Sequence, residues 1–430
     1  MNIEHFYQIF LTHPTICTDS RNIAKNSIYF ALKGENFDGN KFALEALEKG
    51  AQYAIVDEDK HEVNQQCILV NNVLEFLQKL ANYHRKQLGI KIIAITGSNG
   101  KTTTKELIKA VLSSKYNVKA TLGNLNNHIG VPLTLLSFDT STQIGIVEMG
   151  ANHIGEIEAL CRIAEPNMGI ITNIGKAHLE GFGSYEGVIK AKSELYNYIK
   201  ASKGLLFINK DNKLLVDLIG SYSNTIGYGT SPEQTVSGFL EKSDPYLKIK
   251  VTCRNSSSYI ESRIVGSYNI DNILAACSIG CYFDIQLPII CQSISDYKPE
   301  NNRSQLQKTA LNTLLLDFYN ANPTSMKAAI ENFSTIDTSG MPKVLILADM
   351  FELGVNADEE HKEIIRLLEN NRFDIVFLAG TYFHKHNKNF ISFETTDELV
   401  EHINNKNLTK NFILLKGSRG MKLEKCIPYL

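Results

Sequence analysis

Short apolar runs rich in β-branched residues alternate along the chain with stretches of helical spacing. In the middle of the chain these runs cover residues 92–96, 144–150, 168–175 and 204–209. Strands that are apolar on both faces and separated by helices are typical of a parallel sheet with helices on each side. The pattern therefore predicts an α/β fold whose central unit has a mostly parallel sheet.

The same pattern predicts a smaller α/β unit before the central sheet. Residues 27–32, 54–56 and 68–70 have the composition of short strands. Residues 42–49 have helical spacing and are followed by Gly50, a typical residue just after a helix C-terminus. We expect this unit to bind a ligand, because it has polar loops but no obvious catalytic set.

A third unit follows the central one. Buried-type strands are predicted at residues 314–317, 344–349, 375–380 and 412–417, with helices between them. This is a doubly wound, Rossmann-like α/β pattern, although it has no GxGxxG motif. Residues 246–265 instead alternate between apolar and polar residues, which predicts antiparallel strands late in the central unit. We therefore expect three domains, at residues 1–86, 87–297 and 298–430.

The composition indicates which kinds of partner and which cellular compartment are expected. The net charge of the 430-residue chain is −2 and no basic stripe is visible, so nucleic acid is not an expected partner. The 8 cysteines are scattered without a CxxC pair, which favours reduced thiols in a cytoplasmic protein. Residues 1–11 do not have the pattern of a signal peptide, and no run approaches the roughly 18 apolar residues of a membrane span. We expect a monomer.

A loop bracketed by glycines joins the first central strand to a helix. It consists of Thr96-Gly97-Ser98-Asn99-Gly100-Lys101-Thr102-Thr103. Gly97 and Gly100 let the backbone approach an anion, and the helix after them directs free N–H groups towards it. Lys101 can reach outer phosphates, and the Thr102 hydroxyl suits Mg²⁺. The glycines are closer together than in the general phosphate loop. A plain turn with a surface lysine is less favoured, because Gly-Lys-Thr lies at a strand–helix junction.

Three more residues accompany this loop in the predicted sheet. Glu148 ends an apolar strand, where a carboxylate is either capped by amides or used as a ligand; beside a phosphate loop we favour a magnesium ligand. His178 follows the next strand, and the pattern leaves open a structural role and a ligand or acid–base role. Lys192 lies on a predicted helix, where the pattern alone favours a surface lysine.

The third unit offers residues suited to a nucleotide. Asp317 follows a strand and could accept hydrogen bonds from ribose hydroxyls, while Tyr319 could stack on a base. Arg303 lies just past the second domain limit, where a phosphate clamp between domains could act. The turn at Lys416-Gly417-Ser418 either carries solvated charges or grips a substrate carboxylate or phosphate.

Taken together, these residues resemble the Mur ligase family over nearly the whole chain and in the family's order. The shared motifs are Asp19-Ser20-Arg21, the loop at 96–103, Glu148-Met149-Gly150, His178, the Lys192 segment, residues 269–272, Arg303, Asp317 and Lys416-Gly417-Ser418. Four segments resemble one branch, which joins D-alanyl-D-alanine to UDP-N-acetylmuramoyl-tripeptide: residues 123–132, 319–323, 349–354 and the terminal Lys416-Gly417-Ser418. Asn302 and Ala348 occupy positions at which the family often has glycine. These differences bear on local backbone geometry and not on the implied activity.

The resemblance implies an ADP-forming ligase that uses ATP and Mg²⁺ to make an amide bond. The first domain would bind the UDP-sugar substrate, the central one ATP, and the C-terminal one would close over both. The residues implied for ATP are Gly97, Ser98, Asn99, Gly100, Lys101, Thr102, Thr103, Asn272, Arg303, Asp317 and Tyr319. Those implied for metal ions are Thr102, Glu148, His178 and Lys192, the last as a carbamate. Those implied for catalysis are Lys101, His178 and Lys192. Those implied for the two substrates are Ser20, Arg21, Asn124, Asn126, Asn127, Asn320, Lys416 and Ser418.

Two alternatives remain open at this point. One is another ligase of the family, which adds a single amino acid or adds glutamate to a folate; dependence on a dipeptide would separate it. The other is a nucleotide-binding module without chemistry. A simple binder has no need to keep Lys101, Glu148, His178 and Lys192 together, so the sequence favours an enzyme.

Overall fold

Three main sheets follow one another along the chain in this computed structural model, which describes residues 2–300 and 302–430. They have four, nine and six strands and are packed against helices, which confirms the expected α/β fold. The cysteines are buried free thiols. Among the described residues, no helix is long and apolar enough to cross a membrane.

Residues 2–88 form the N-terminal unit, in which short strands build a small parallel sheet and a separate hairpin. The strands are β1 Ile16–Cys17, β2 Ile28–Phe30, β3 Lys33–Gly34, β4 Phe37–Asp38, β5 Tyr53–Val56 and β6 Cys67–Leu69. The helices are α1 Ile3–Thr12, α2 Ala43–Glu48 and α3 Val73–Leu88. The sheet has the order β1-β2-β5-β6, and β3 pairs with β4 in a hairpin. The predicted strands and the helix before Gly50 are confirmed.

The central sheet is parallel over most of its width. Its strands are β7 Lys91–Thr96, β8 Val118–Ala120, β9 Ile144–Glu148, β10 Met168–Ile171, β11 Leu205–Asn209, β12 Thr225–Gly229, β13 Val236–Ser243, β14 Tyr246–Cys253 and β15 Ser256–Val265. Its order is β15-β14-β13-β12-β11-β10-β7-β9-β8, and among the described strands of this sheet only the pairs β13–β14 and β14–β15 are antiparallel. The predicted parallel strands and the predicted antiparallel pair at 246–265 are confirmed.

The helices of this unit cover both faces of β7, the strand that leads into the phosphate-loop sequence. They are α4 Lys101–Leu112, α5 Gly130–Leu136, α6 Glu156–Ala164, α7 Leu179–Phe182, α8 Tyr185–Ala201, α9 Lys213–Ile219, α10 Ile270–Tyr282 and α11 Leu287–Asp296. Ile93 and Ile95 of β7 pack in one core with residues of α4 and α10, whereas Ile92 and Ala94 belong to the core on the other face. Each buried isoleucine contributes about 1.5–3 kcal/mol to stability.

The strand order brings three carboxyl ends together. β7 lies between β9 and β10. The register pairs Ile95 with Glu148 and Thr96 with Ile171. The loop after β7, the carboxylate of Glu148 and the segment after β10 therefore meet at one edge of the sheet, where open α/β sheets bind ligands.

The C-terminal sheet is Rossmann-like in outline, as predicted. Its strands are β16 Gln305–Lys308, β17 Thr313–Leu316, β18 Lys343–Ala348, β19 Ile375–Ala379, β20 Ile391–Phe393 and β21 Phe412–Lys416, and its helices are α12 Pro323–Thr335, α13 Ala357–Glu369, α14 Thr381–His386 and α15 Thr396–Lys406. Its order is β16-β17-β21-β18-β19-β20, with β16 antiparallel at one edge. Asp317, Asp349 and Lys416 therefore lie at neighbouring carboxyl ends.

Candidate active site

The carboxyl ends of the central and C-terminal sheets face a common cavity of about 920 Å³. This volume lies in the upper part of the range for small-molecule sites, roughly 300–1,000 Å³. The predicted site residues that line it are Ser98, Asn99, Gly100, Lys101, Thr102, Thr103, Asn124, Asn126, Asn127, Glu148, His178, Lys192, Asn272, Arg303, Asp317, Tyr319, Asn320, Lys416 and Ser418. Of the described residues predicted for the site, Gly97, Ser20 and Arg21 are outside this lining.

Both glycines of the phosphate-loop sequence have backbone conformations that favour glycine. Gly97 has φ +145°, and a Cβ there would lie 2.0 Å from Thr172 Oγ1. Gly100 has φ +79°, and a Cβ there would lie 2.5 Å from Asn272 Oδ1. The loop is therefore packed tightly against neighbouring segments and ends at the N-terminus of α4. The wider glycine spacing of the general phosphate loop is not needed for an anion to approach, because the twelve-residue α4 begins at Lys101 and directs its free N–H groups into the cavity.

The Lys101 ammonium folds back over the loop. Its Nζ donates to Gly97 O at 2.5 Å and to Ser98 O at 3.2 Å. Desolvation by the surrounding protein lowers the pKa of Lys101 below its usual value, with the Arg303 charge acting in the same direction. An anion in the cavity would relieve this penalty, because it would place an opposite charge beside the ammonium.

The Glu148 carboxylate is held at the end of β9 by three neighbours. Thr102 Oγ1 donates to Glu148 Oε2 at 2.9 Å, and Asn126 Nδ2 donates to Glu148 Oε1 at 2.8 Å. Lys105 Nζ lies 3.9 Å from Glu148 Oε2. Glu148 is 1% exposed, so the carboxylate keeps a fixed position. The amide contact that was one predicted alternative for Glu148 is present, and the role as a magnesium ligand stays a prediction.

The oxygen pair of Thr102 and Glu148 has the chemistry of a magnesium site shared with phosphates. Within residues 2–300 and 302–430, no group of three or more His, Cys, Asp or Glu side chains is arranged to hold a metal ion alone. Mg²⁺ is usually bound by one or two carboxylates together with substrate phosphates rather than by an all-protein cage. The residues present therefore fit a metal ion that arrives with a nucleotide.

His178 and Lys192 lie on the same side of the cavity. His178 Nδ1 is 2.5 Å from Glu352 Oε2, which belongs to the C-terminal domain. The contact with His178 is the main cause that lowers the pKa of Glu352. Lys192 Nζ lies 5.4 Å from the centre of the Phe182 ring.

The surface position favoured by the pattern for Lys192 is wrong. The side chain is 1% exposed, because α8 presents it on the same face as Val188 and Leu195, both fully buried. Burial, followed by repulsion from Lys101, lowers the pKa of Lys192 to about 7. The spacing of residues 188, 192 and 195 could have indicated this face from the sequence.

The site residues that belong to the C-terminal domain contact one another. Lys416 Nζ donates to Asp317 Oδ2 at 2.6 Å, and Lys416 is 2% exposed, so its charge is not solvated. The Arg303 guanidinium lies 3.6 Å from the centre of the Tyr319 ring, and that of Arg419 lies 5.1 Å from it. A base can stack on the face covered by Arg303 only after that side chain moves.

Arg303 also carries an unused donor. Its buried Nε has no hydrogen-bond partner among the residues that the structure describes. Because an unpaired buried donor is costly, its presence in a cavity indicates an anionic or carbonyl ligand. Asn272 also supports the loop at Gly100, since its side chain bonds Thr104 Oγ1 at 3.0 Å and Asn269 Oδ1 at 2.8 Å.

The Asp19-Ser20-Arg21 segment lies apart in the N-terminal unit. Arg21 N donates to Asp19 Oδ1 at 3.0 Å, and its guanidinium pairs with the same carboxylate at 2.8 Å. The pairing lowers the pKa of Asp19 to about 2. These bonds show turn chemistry, and the exposed Arg21 side chain leaves room for a ligand role as well.

Three functional candidates were not assigned a role from the sequence. Lys105 is fully buried beneath Glu148, Glu352 contacts His178, and Asp271 lines the cavity. Lys105 could have been found from helical spacing, because it shares a face of α4 with Ile108 and Leu112. Glu352 could not, since its partner belongs to another domain.

Models of three protein-family domains match the chain. They are described as the Mur ligase family catalytic domain, matching residues 14–85, the Mur ligase middle domain, matching residues 95–280, and the Mur ligase glutamate ligase domain, matching residues 302–419. A similar protein is the UDP-N-acetylmuramoyl-tripeptide–D-alanyl-D-alanine ligase of Bacillus subtilis (strain 168). It is 35% identical over 427 residues, covering 96% of this chain and 92% of that protein.

Two solved structures show the same fold over nearly the whole chain. A crystal structure of MurF from Acinetobacter baumannii has a TM-score of 0.87 at 28% identity and covers 99% of this chain and 98% of that chain. The MurF ligase from Thermotoga maritima in complex with ADP has a TM-score of 0.86 at 24% identity, covering 98% of this chain and 97% of that chain.

Proposed function

This chain belongs to the Mur ligase family, and we propose that it is the ATP-dependent ligase that joins D-alanyl-D-alanine to UDP-N-acetylmuramoyl-tripeptide. The product would be the UDP-N-acetylmuramoyl-pentapeptide, the last peptidoglycan precursor made in the cytoplasm. The main observation in support of the proposal is that the Lys101 loop, Glu148, His178 and Lys192 line one cavity. The chain spans 92% of the length of the Bacillus subtilis relative, which has this activity in its name.

The proposed reaction has two steps. A carboxylate does not condense with an amine at neutral pH, because the hydroxide-like leaving group is too poor. The terminal carboxylate of the tripeptide first attacks the γ-phosphorus of ATP, which forms an acyl phosphate and releases ADP. The amine of D-alanyl-D-alanine then attacks the acyl carbon, which forms the amide, releases phosphate and loses a proton. Each step is a displacement in which charge develops on phosphoryl or carbonyl oxygens.

The central domain would hold the phosphates. The N–H groups at the start of α4 and the Lys101 ammonium would bind the phosphate oxygens. Thr102 and Glu148 would hold one Mg²⁺, and His178 with Lys192 as a carbamate would serve a second. Bound Mg²⁺ would offset charge on the transferred phosphoryl group. Lys192 suits the carbamate role because its burial favours an uncharged amine, the form that adds CO₂ with loss of a proton.

The remaining residues of the proposal divide between nucleotide and substrates. For the nucleotide we propose the loop residues Gly97, Ser98, Asn99, Gly100 and Thr103 together with Asn272, Arg303, Asp317 and Tyr319. For the two substrates we propose Ser20, Arg21, Asn124, Asn126, Asn127, Asn320, Lys416 and Ser418. The proposed domain limits are 1–86, 87–297 and 298–430, and the molecule is proposed to act as a monomer.

Mass spectrometry of the product tests the proposal. The protein is incubated with ATP, Mg²⁺, UDP-N-acetylmuramoyl-tripeptide and D-alanyl-D-alanine, and we expect the pentapeptide mass with one ADP per product. Lys101→Met should abolish the product, whereas Lys109→Met, the same change two helical turns later in α4, should not. Product formed with single amino acids would indicate another ligase of the family. Nucleotide binding without any peptide product would indicate a module without chemistry.

A further inference from the structure

A chain of hydrogen bonds runs from the helix of the phosphate-loop sequence to the C-terminal sheet. On the central side, Thr104 Oγ1 donates to Asn272 Oδ1 at 3.0 Å, and Asn272 Nδ2 donates to Asn269 Oδ1 at 2.8 Å. Asn269 Nδ2 then donates to Ser304 Oγ at 3.2 Å. On the C-terminal side, Ser304 N donates to Asp317 Oδ1 at 3.0 Å. Ser304 is therefore the residue at which bonds from the two sides meet.

Ser304 is held in place by its side chain and by its backbone. A hydroxyl can accept two hydrogen bonds and donate one. Tyr268 OH lies 3.1 Å from Ser304 Oγ, in addition to the amide of Asn269. Ser304 is 6% exposed, so water has little access to these contacts. Because unpaired buried polar groups are costly, the contacts with Tyr268, Asn269 and Asp317 favour one position of Ser304.

The residues on either side of Arg303 both have a left-handed backbone conformation. The φ angle is +56° at Asn302 and +48° at Ser304. Asparagine adopts this region more readily than most residues, whereas serine has no such preference. The hydrogen bonds at Ser304 therefore stabilise a conformation that its own side chain disfavours. Strained backbone that is held by its surroundings is frequent at functional sites.

The direction of Arg303 depends on this backbone. Its guanidinium lies 3.6 Å from the centre of the Tyr319 ring. Its buried Nε has no hydrogen-bond partner in the part of the chain that the structure describes, so no bond at this atom fixes the side chain. The Arg303 charge also contributes to the lowered pKa of Lys101, which shows that the two cations are near each other in the cavity. An anion between them would pair with both.

We propose that Ser304 is a positioning residue that directs Arg303 towards the phosphates of the bound nucleotide. Its hydroxyl and its amide hold the turn that carries Arg303, so less freedom of the guanidinium is lost when the ligand binds. The inference rests on the proposed function for the role of Arg303. Ser304 itself lines the cavity, so a direct contact with the nucleotide is the competing explanation.

A double-mutant cycle on nucleotide affinity separates these explanations. Calorimetry measures binding of the imido analogue of ATP, with Mg²⁺, to the unaltered protein, Ser304→Ala, Arg303→Ala and the double variant. We expect Ser304→Ala to weaken binding about 3- to 10-fold, which corresponds to roughly one neutral hydrogen bond. In the Arg303→Ala background the same change should weaken binding less than about twofold, because the residue through which Ser304 acts is absent.

Two further variants serve as controls. Tyr268→Phe removes one partner of the Ser304 hydroxyl, and we expect a smaller loss of affinity with the same dependence on Arg303. Ser334→Ala removes a hydroxyl elsewhere in the C-terminal domain, where Ser334 Oγ donates to Glu331 O at 2.7 Å within α12. It should leave nucleotide affinity unchanged.

Three results would overturn the inference. They are full affinity in Ser304→Ala, an equal loss in both Arg303 backgrounds, and unchanged affinity in Arg303→Ala. If Ser304→Ala does not fold, Ser304→Gly replaces it in the cycle, because glycine adopts the left-handed conformation readily. Full affinity in Ser304→Gly would show that the turn alone is enough and would refute a role of the hydroxyl. Failure of the proposed function is distinguishable, because it removes the peptide product from the unaltered protein and leaves these binding differences in place.

Discussion

Lys105→Met should destabilise the central domain by about 3–5 kcal/mol, the usual cost of removing one partner from a buried ion pair. The Lys105 side chain is fully buried. Its Nζ donates to Thr121 O at 2.6 Å and pairs with Glu106 Oε1 at 3.0 Å, and Glu148 Oε2 lies at 3.9 Å. Methionine has a similar length and fills the same space, so the lost energy comes from the charge and its bonds rather than from a cavity.

The loss is concentrated at Glu148. The Glu106 side chain is 30% exposed and can turn to water, but the Glu148 side chain is 2% exposed and cannot. After the substitution its carboxylate keeps the neutral donors Thr102 and Asn126 and loses the nearby cation. We therefore expect β9, which ends at Glu148, to open far more often than in the unaltered protein.

Hydrogen exchange read by mass spectrometry is the suitable assay, because a chain of three domains need not unfold in one step. A loss of 3–5 kcal/mol corresponds to about 10²- to 4 × 10³-fold faster exchange in peptides that cover Ile144–Glu148, since roughly 1.4 kcal/mol is tenfold. Lys109→Met is the matched control, and a half-buried lysine on the same helix should change stability by at most about 0.5 kcal/mol. If Lys105→Met changes the exchange of β9 less than tenfold, the ion-pair account of Glu148 is refuted.

Three further substitutions test other parts of the molecule. Burial raises the pKa of the Asp271 carboxyl above its usual 3.8, so stability falls as pH rises through the folded pKa; Asp271→Asn should be more stable at pH 7, and thermal melts should show the gap closing below pH 3.8. Ser278→Ala should raise stability by about 1 kcal/mol in denaturant titration, because the hydroxyl is fully buried with no partner among the described residues. Arg303→Ala should weaken ATP binding about 10- to 100-fold in calorimetry, the worth of a charge-assisted bond of about 1.5–3 kcal/mol. An unchanged affinity would exclude Arg303 as a phosphate clamp.

The edge of the central sheet that lines the cavity could be predicted because the local sequence pattern and the tertiary structure agree there. β7 is apolar along its length since helices cover both faces, and that pattern is visible in the sequence. Gly97 and Gly100 mark positions whose φ and close contacts admit no side chain. The glycine-bracketed turn and the presence of a helix after it were therefore predictable, although the helix begins at Lys101, inside the segment assigned to the loop.

Weak or misleading local patterns explain the missed strands. β8 has only three residues, too few for a pattern. β13 is buried at its first three residues and largely exposed afterwards, because it runs from the sheet interior towards solvent. Such strands are specified by the neighbours with which they pair, β9 for the first and β14 for the second, rather than by their own residues.

The partners of charged side chains were least accessible to prediction, because they come from different segments and domains. Lys192 looked like a surface residue until α8 packed it into the cavity wall. The 2.5 Å contact between His178 and Glu352 depends on how two domains meet, which no local spacing records. The sequence motifs named the residues of the site, and only the packing showed which of them act on one another.

The charge balance of the cavity favours an anionic ligand. Lys105 is paired with carboxylates, but Lys101 donates to backbone carbonyls and Lys192 lies over an aromatic ring. Burial is the main cause that lowers the pKa values of Lys101 and Lys192, and repulsion from Lys101 lowers that of Lys192 further, so the free protein holds its cations at a cost. A bound triphosphate would supply the missing negative charge. Binding would then be favoured where the folded protein is electrostatically strained, and the same low dielectric would strengthen stabilisation of charge on the transferred phosphoryl group.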